Sequence, residues 1–123
     1  MPTAVTVLIA GGIGALSRWY VDGLFSRRDH TFPLGIFVVN VSGALAAGFV
    51  SAVLGERFDA PLWVRTAILT GFLGGYTTFS TLSNESVRLF QDGLPGLGLL
   101  NAFGSLGAGL LAAYVGILLG RLV

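Results

Sequence analysis

The stretch from Thr70 to Asn84 combines helix-weakening glycines with many side-chain hydrogen-bonding groups inside an apolar segment. Gly74 and Gly75 are adjacent near its middle, and glycine supports a helix less well than any residue except proline. A break there would release carbonyl oxygens that can bind a cation and create a helix N-terminus that favours an anion. Six of the eight residues after Tyr76 carry a hydroxyl or an amide, namely Thr77, Thr78, Ser80, Thr81, Ser83 and Asn84. The pattern predicts an interrupted helix that binds ions. The alternative is that these hydroxyls donate hydrogen bonds to carbonyls of their own helix.

Three further polar residues interrupt other apolar segments. Asn40 lies in the middle of the second segment, where its amide must bond to another helix or face water. Arg18 lies in the first segment, and an ionisable residue in such a place is a functional candidate by default. Asp22 follows one turn later, so a structural pair with Arg18 is the alternative. Ser105 gives the fourth segment one hydroxyl.

Several kinds of reactive side chain are absent from the apolar segments, and their absence excludes some classes of function. No acidic residue lies in the middle of an apolar segment, so a proton-coupled cation carrier would lack its titrating group. The only histidine, His30, lies between segments, cysteine is absent, and no nucleophile–base pair is present, so we expect no enzyme activity. A net charge of +1 also gives no reason to expect nucleic acid as a partner. The neutral donors and aromatic rings that remain suit a small hydrated anion that must shed water and still leave.

Four apolar segments must position these groups. The chain is 54% hydrophobic and 11% charged, whereas ordinary soluble domains are about 25% charged. Crossing a bilayer takes roughly 20 apolar residues, and four stretches qualify, at about 3–25, 33–54, 61–90 and 96–121. No alternating pattern indicates a barrel, and the separators are too short for a second domain. The sequence predicts an all-α membrane protein in contact with lipid: one domain, 1–123, of four transmembrane helices with a break in the third.

The arginines are spread almost evenly over the two sides that four spans would create. The side of the termini carries Arg57, Arg65 and Arg121, and the other carries Arg27, Arg28 and Arg88, with Arg18 as a possible fourth. Because orientation normally follows an excess of basic residues in short loops, this balance is compatible with insertion both ways up, and chance is the alternative. Small residues at four-residue spacing indicate close helix packing, within the chain or across a dimer interface.

Three of these motifs resemble those of the Fluc/CrcB fluoride channel family, in the same order and along nearly the whole chain. They are the glycine–arginine motif Gly11 to Arg18, the segment Gly35 to Gly43, and Gly71 to Thr81, which matches Gly-x-x-Gly-Gly-x-Thr-Thr-Phe-Ser-Thr. The resemblance implies a fluoride-selective channel subunit, multi-pass in the cell (plasma) membrane, through which fluoride leaves passively and cytoplasmic toxicity is relieved. It also implies an antiparallel dual-topology dimer with two pores at the interface.

The resemblance further implies roles for individual residues. The backbone carbonyls of Gly74 and Thr77 would hold a structural sodium ion on the dimer axis. Asn40 and Phe79 would line the fluoride path, and Arg18 would be a structural residue of the vestibule. Further contacts to fluoride would come from the hydroxyls of Ser80, Thr81 and Ser105.

Two positions depart from the family pattern. Leu82 stands three residues after Phe79, where a second phenylalanine is usual, and Asn101 stands where an aromatic residue is common. Leucine offers no ring edge, and some members of the family pair two unlike subunits. We therefore expect either a homodimer or a heterodimer with a paralogous subunit.

Two other functions are possible. A small multidrug-type proton-coupled exporter would share the size, the four spans and the dual topology, but it requires a buried acidic residue in the first span. A non-transporting assembly subunit is the third possibility.

Overall fold

The computed structural model describes residues 2–26 and 32–123, and all regular structure in those ranges is helical. The all-α prediction is thereby confirmed for the described part of the chain. The predicted loop residues Arg27, Arg28 and His30 lie outside it. Numbered along the chain, the helices are α1 (Thr3–Ser26), α2 (Leu34–Arg57), α3 (62–76), α4 (Phe79–Gln91) and α5 (Pro95–Leu122).

Three helical stretches are long and apolar enough to cross a membrane, namely Thr3–Phe25 of α1, α2 and α5. Their ends fall within three residues of the predicted first, second and fourth segments. The predicted third segment, 61–90, is divided into α3 and α4. Each of these is shorter than the roughly 20 residues that a span requires.

Three of the five helices, α2, α3 and α5, contain π-helical segments that the apolar pattern did not predict. They are Ala52–Arg57 at the end of α2, Ala67–Leu73 within α3 and Leu100–Gly104 within α5. Such segments are rare and often occur at functional sites. The segment in α3 lies just before the helix break, and the segment in α5 lies beside Ser105.

The interruption between α3 and α4 lies at Thr77 and Thr78, whose backbones are extended (φ −82°, ψ 158° and φ −150°, ψ 119°). The predicted position at Gly74 and Gly75 is wrong, because both glycines are helical. A Cβ on Gly75 would collide with the carbonyl oxygen of Gly11, so this glycine serves close packing against α1. The side chain of Thr78 starts α4 by accepting a hydrogen bond from the N–H of Thr81.

Two close helix pairs, α1 with α3 and α2 with α5, hold the bundle together. In the first pair Gly14 lies against the carbonyl of Phe72. In the second, Gly48 lies against the carbonyl of Ala113, and Gly116 against that of Leu45. These glycines therefore serve packing within the chain, which was one of the two explanations left open for the small-residue pattern.

The outer surface of the bundle is strongly apolar. Large hydrophobic side chains stand exposed on α1 and α5, among them Leu8, Trp19, Leu110 and Leu122. Soluble monomers rarely expose apolar surface of this extent, so the surface requires lipid or another protein subunit as its neighbour.

Candidate functional site

Asn40 of α2 bonds to both backbone groups of Thr78 at the helix break. Its Nδ2 donates to the Thr78 carbonyl at 3.0 Å, and its Oδ1 accepts from the Thr78 N–H at 2.8 Å. Thr78 is only 7% exposed, so these groups would otherwise be buried without partners. The amide of Asn40 therefore bonds between helices, which is the simpler of the two roles considered for it, and its partner is the interruption itself.

The break also changes the partners of two backbone carbonyls. In a continuous helix the N–H of Thr78 would donate to the Gly74 carbonyl, but here it donates to Asn40. The Thr77 carbonyl accepts from Nη1 of Arg18 at 3.4 Å, which is longer than the roughly 2.7–3.2 Å of a typical hydrogen bond. The Gly74 carbonyl thus lacks its usual helical donor, the Thr77 carbonyl has one long contact, and uncharged carbonyls at a broken helix can bind a cation.

A groove of about 690 Å³ lies on the face of the bundle where the break occurs. Helices α2, α3, α4 and α5 all contribute to it, and most of its surface is apolar. Among the described residues that line it, none has an ionisable side chain. Of the site residues predicted from the sequence, five line the groove: Asn40, Gly74, Thr77, Phe79 and Ser105. Leu82 lines it as well.

Phe79 is the most conspicuous of these residues because it is 83% exposed although it is large and apolar. It is the first residue of α4, directly after the two extended threonines. Its ring therefore stands at the break instead of packing in the core, and its weakly positive edge is accessible from the groove.

Ser80 and Thr81 contact the hydroxyl of Thr78 rather than lining the groove. The Thr78 hydroxyl lies 3.2 Å from the Ser80 Oγ and donates to the Thr81 Oγ1 at 3.3 Å. These three hydroxyls form a small polar cluster at the start of α4. Ser83 has the local role considered at the outset for the whole cluster, since its Oγ donates to the carbonyl of Phe79.

A second polar group lies farther along the same wall, between α4 and α5. Nδ2 of Asn101 donates to the Oγ of Ser86 at 2.9 Å, and that Oγ donates to the Leu82 carbonyl at 2.8 Å. Ser86 was not among the predicted site residues. Its position one turn after Leu82 and two turns after Phe79 is the signal that places it on the same helix face.

The arrangement can hold and pass an uncharged or singly charged small species by hydrogen bonding. Its donors are neutral amides and hydroxyls, which bind an anion without trapping it as a fixed cation would. Among the described residues no group of three or more His, Cys, Asp or Glu side chains could hold a metal ion. A cation at this site would therefore depend on backbone carbonyls.

The long apolar helices and the uncharged groove beside a broken helix define a multi-pass membrane protein. The family model "CrcB-like protein, Camphor Resistance (CrcB)" matches residues 5–117 of the chain. The chain belongs to this family, and its localisation in the plasma membrane follows from that membership together with the apolar helices.

Several relatives are similar over most of their length. The chain is 38% identical over 121 residues to "Fluoride-specific ion channel FluC 2" of Brucella abortus, covering 94% of this chain and 92% of the relative. It is 46% identical over 89 residues to "Fluoride-specific ion channel FluC" of Hydrogenobaculum sp., covering 72% and 73%. With the FluC of Nitratidesulfovibrio vulgaris the identity is 42% over 124 residues, and both chains are covered completely.

Proposed function

We propose that this chain is a subunit of a fluoride channel, through which fluoride leaves the cell passively. The observation that carries the proposal is the groove at the helix break, whose described lining offers neutral donors and no titratable group. Membership of the CrcB family and relatives described as fluoride-specific ion channels support the same ion. A proton-coupled multidrug exporter is disfavoured, because such a carrier requires a buried acidic residue to exchange protons.

The path for fluoride is proposed to follow the groove past the break. The exposed ring of Phe79 would present its edge to the ion, and the hydroxyl of Ser105 lies farther along the same wall. Asn40 would act by holding the break open, with its amide beside the path. The hydroxyl cluster of Ser80 and Thr81 would supply further neutral donors at the start of α4.

In this proposal α3 and α4 together form a third membrane span, which gives the chain four. The two halves contain 15 and 13 residues, so each reaches only about 20 Å at 1.5 Å per residue. Joined end to end through Thr77 and Thr78, they are long enough to cross. The non-helical backbone at that depth is tolerated because Asn40 satisfies it from α2.

The working unit would be an antiparallel dual-topology dimer, either of two identical chains or of this chain and a paralogous subunit. The near balance of arginines on the two sides supports insertion in both orientations. A structural sodium ion would be held by the carbonyls of Gly74 and Thr77 and would fix the two broken helices to each other. One chain offers too few oxygens for a hard cation, so the same carbonyls of a second subunit would add two more. Arg18, bonded to the Thr77 carbonyl, would support this region structurally.

The proposal is tested by fluoride release from liposomes that contain the purified protein, with chloride release as the selectivity control. The variant Phe79→Ala should lower fluoride release by about three- to tenfold if its ring contributes an aromatic contact of ordinary strength to the path. The matched control is Phe58→Ala, which removes another exposed ring from the loop after α2 and should leave release unchanged.

Because Phe79 is exposed in the chain, its loss should leave the thermal stability of the fold nearly unchanged. Equal fluoride release from the Phe79→Ala and Phe58→Ala proteins would contradict the assignment of the path. Absence of fluoride release from the parent chain, both alone and together with a paralogous subunit, would contradict the channel function itself.

A further inference from the structure

Two buried polar atoms on α5 have no protein partner within the described part of the chain. They are Oδ1 of Asn101, a residue with 0% exposure, and the Oγ of Ser105, which is 4% exposed. The two residues are four positions apart, so their side chains lie on the same face of α5. Ser105 lines the groove, as does Ala102 between them. Buried polar atoms are nearly always bonded to protein or ordered water, so this pair requires a ligand.

The hydrogen bond to Ser86 fixes which end of the Asn101 amide is left over. The Ser86 hydroxyl already gives its hydrogen to the Leu82 carbonyl at 2.8 Å, so it can only accept from Asn101. The amide must therefore turn its Nδ2 toward Ser86, and the contact is 2.9 Å. Its Oδ1 is consequently presented as an acceptor.

Ser105 differs from four other helical hydroxyls in the described part of the chain. Ser17, Thr66, Ser83 and Ser86 each donate to the carbonyl four residues earlier. Ser105 follows the π-helical segment Leu100–Gly104, and its Oγ makes no such bond. Its hydroxyl is therefore available both to donate and to accept at the groove wall.

The chemistry of the two atoms selects the ligand. A ligand must donate a hydrogen bond to Asn101 Oδ1, which excludes fluoride because that ion only accepts. A hard cation would find two uncharged oxygens, whereas such ions take about six. A water molecule meets both requirements, since it can donate to Oδ1 and accept from the Ser105 hydroxyl.

We propose that Asn101 and Ser105 bind one water molecule in the wall of the groove. Its second hydrogen then points away from Oδ1 and offers a neutral donor to an ion in the groove. This donor would replace part of the hydration shell that the ion gives up, a step that rests on the proposed fluoride path. The binding of the water itself does not depend on that path.

The site is tested by determining the structure of the assembled protein at a resolution that shows ordered water, with and without fluoride. Density should lie within hydrogen-bond distance of both Asn101 Oδ1 and Ser105 Oγ in both conditions. Density that appears only with fluoride would overturn the proposal in favour of an anion site. A direct bond between the two side chains with no density would overturn it as well.

Two variants connect the water to transport. Asn101→Leu and Ser105→Ala should each remove the density and slow fluoride release from liposomes by about tenfold, the equivalent of one hydrogen bond. Their controls are Asn84→Leu on an exposed turn of α4 and Ser17→Ala on α1, which should leave release unchanged.

The outcomes separate the two proposals. Density that persists in the Asn101→Leu protein would overturn the water site. If the density is lost but the rate is unchanged, water is bound there without serving the ion, and the donor role is overturned. A parent protein that holds the water but moves no fluoride would contradict the proposed function and leave the water site standing.

Discussion

The carboxamide of Asn40 takes the place of two helical hydrogen-bond partners at once. An amide carries both a donor and an acceptor, so it can satisfy the N–H and the C=O of Thr78 from a neighbouring helix. Neither a hydroxyl nor a carboxylate can do this in the same geometry. This explains why an amide stands in the middle of a segment that is otherwise apolar.

Replacing Asn40 by alanine should destabilise the protein, because the two buried groups of Thr78 would lose their partners. Each unsatisfied group costs about 1–3 kcal/mol. Thermal unfolding of the assembled protein measures the loss, and fluoride release should fall with it. Replacement of Asn84, an exposed amide on α4, by alanine is the control and should leave both quantities unchanged.

The variant Asn40→Asp separates the two bonds. An ionised carboxyl accepts from the Thr78 N–H but cannot donate to the Thr78 carbonyl, whereas a protonated one can do both. The ionised variant should therefore be less stable than the parent, because the Thr78 carbonyl loses its donor. Equal thermal stability of the two proteins would argue against a donated bond from Asn40.

At the scale of helices, glycines set how closely α1 and α3 approach. Gly14 and Gly75 both lie against backbone carbonyls of the facing helix, where neighbouring atoms cannot move aside as a flexible side chain can. Gly12, on another face of α1, has open space around the position of a Cβ. The sequence alone could not distinguish Gly12 from Gly14, because they are two residues apart in one motif.

The variant Gly14→Ala should therefore destabilise the protein by about 1–3 kcal/mol, the usual cost of overpacking. Gly12→Ala should be neutral or slightly stabilising, because alanine favours a helix over glycine. Thermal unfolding of the two variants beside the parent decides this. Equal effects at the two positions would mean that the contact between α1 and α3 is looser than the structure has it.

The apolar pattern predicts the helices well and the break only approximately. Length and hydropathy are local properties, so the ends of α1, α2 and α5 follow from the sequence. The position of the break depends on Asn40, a partner 38 residues away, and on the role of Gly75 in packing against α1. Both are tertiary effects that the sequence pattern does not show. The pattern therefore predicted the break at Gly74 and Gly75, whereas the structure has it at Thr77 and Thr78.

The same distinction applies to the candidate site. Asn40, Phe79 and Ser105 could be chosen from residue type and position, and all three border one groove. The groups of Ser86 and Asn101 belong to different helices, and only folding brings them within 2.9 Å of each other.

For the molecule as a whole, the ends of α2 and α5 meet on one side of the bundle. Nε and Nη2 of Arg121 bind the two carboxylate oxygens of Glu56 at 2.8 and 3.0 Å. The chain terminus and the loop after α2 therefore lie on the same side, as four spans would require.

Whether one kind of chain suffices depends on Leu82, which lines the groove one turn after Phe79. If the path needs a ring edge there, the purified chain alone should release fluoride slowly, and Leu82→Phe should raise the rate by about three- to tenfold, the equivalent of one aromatic contact. Leu82→Met, which keeps the volume and adds no ring, is the control and should match the parent. Rapid release from the parent with no gain in the phenylalanine variant would show that no unlike partner is needed, because two copies of this chain would then form a complete path.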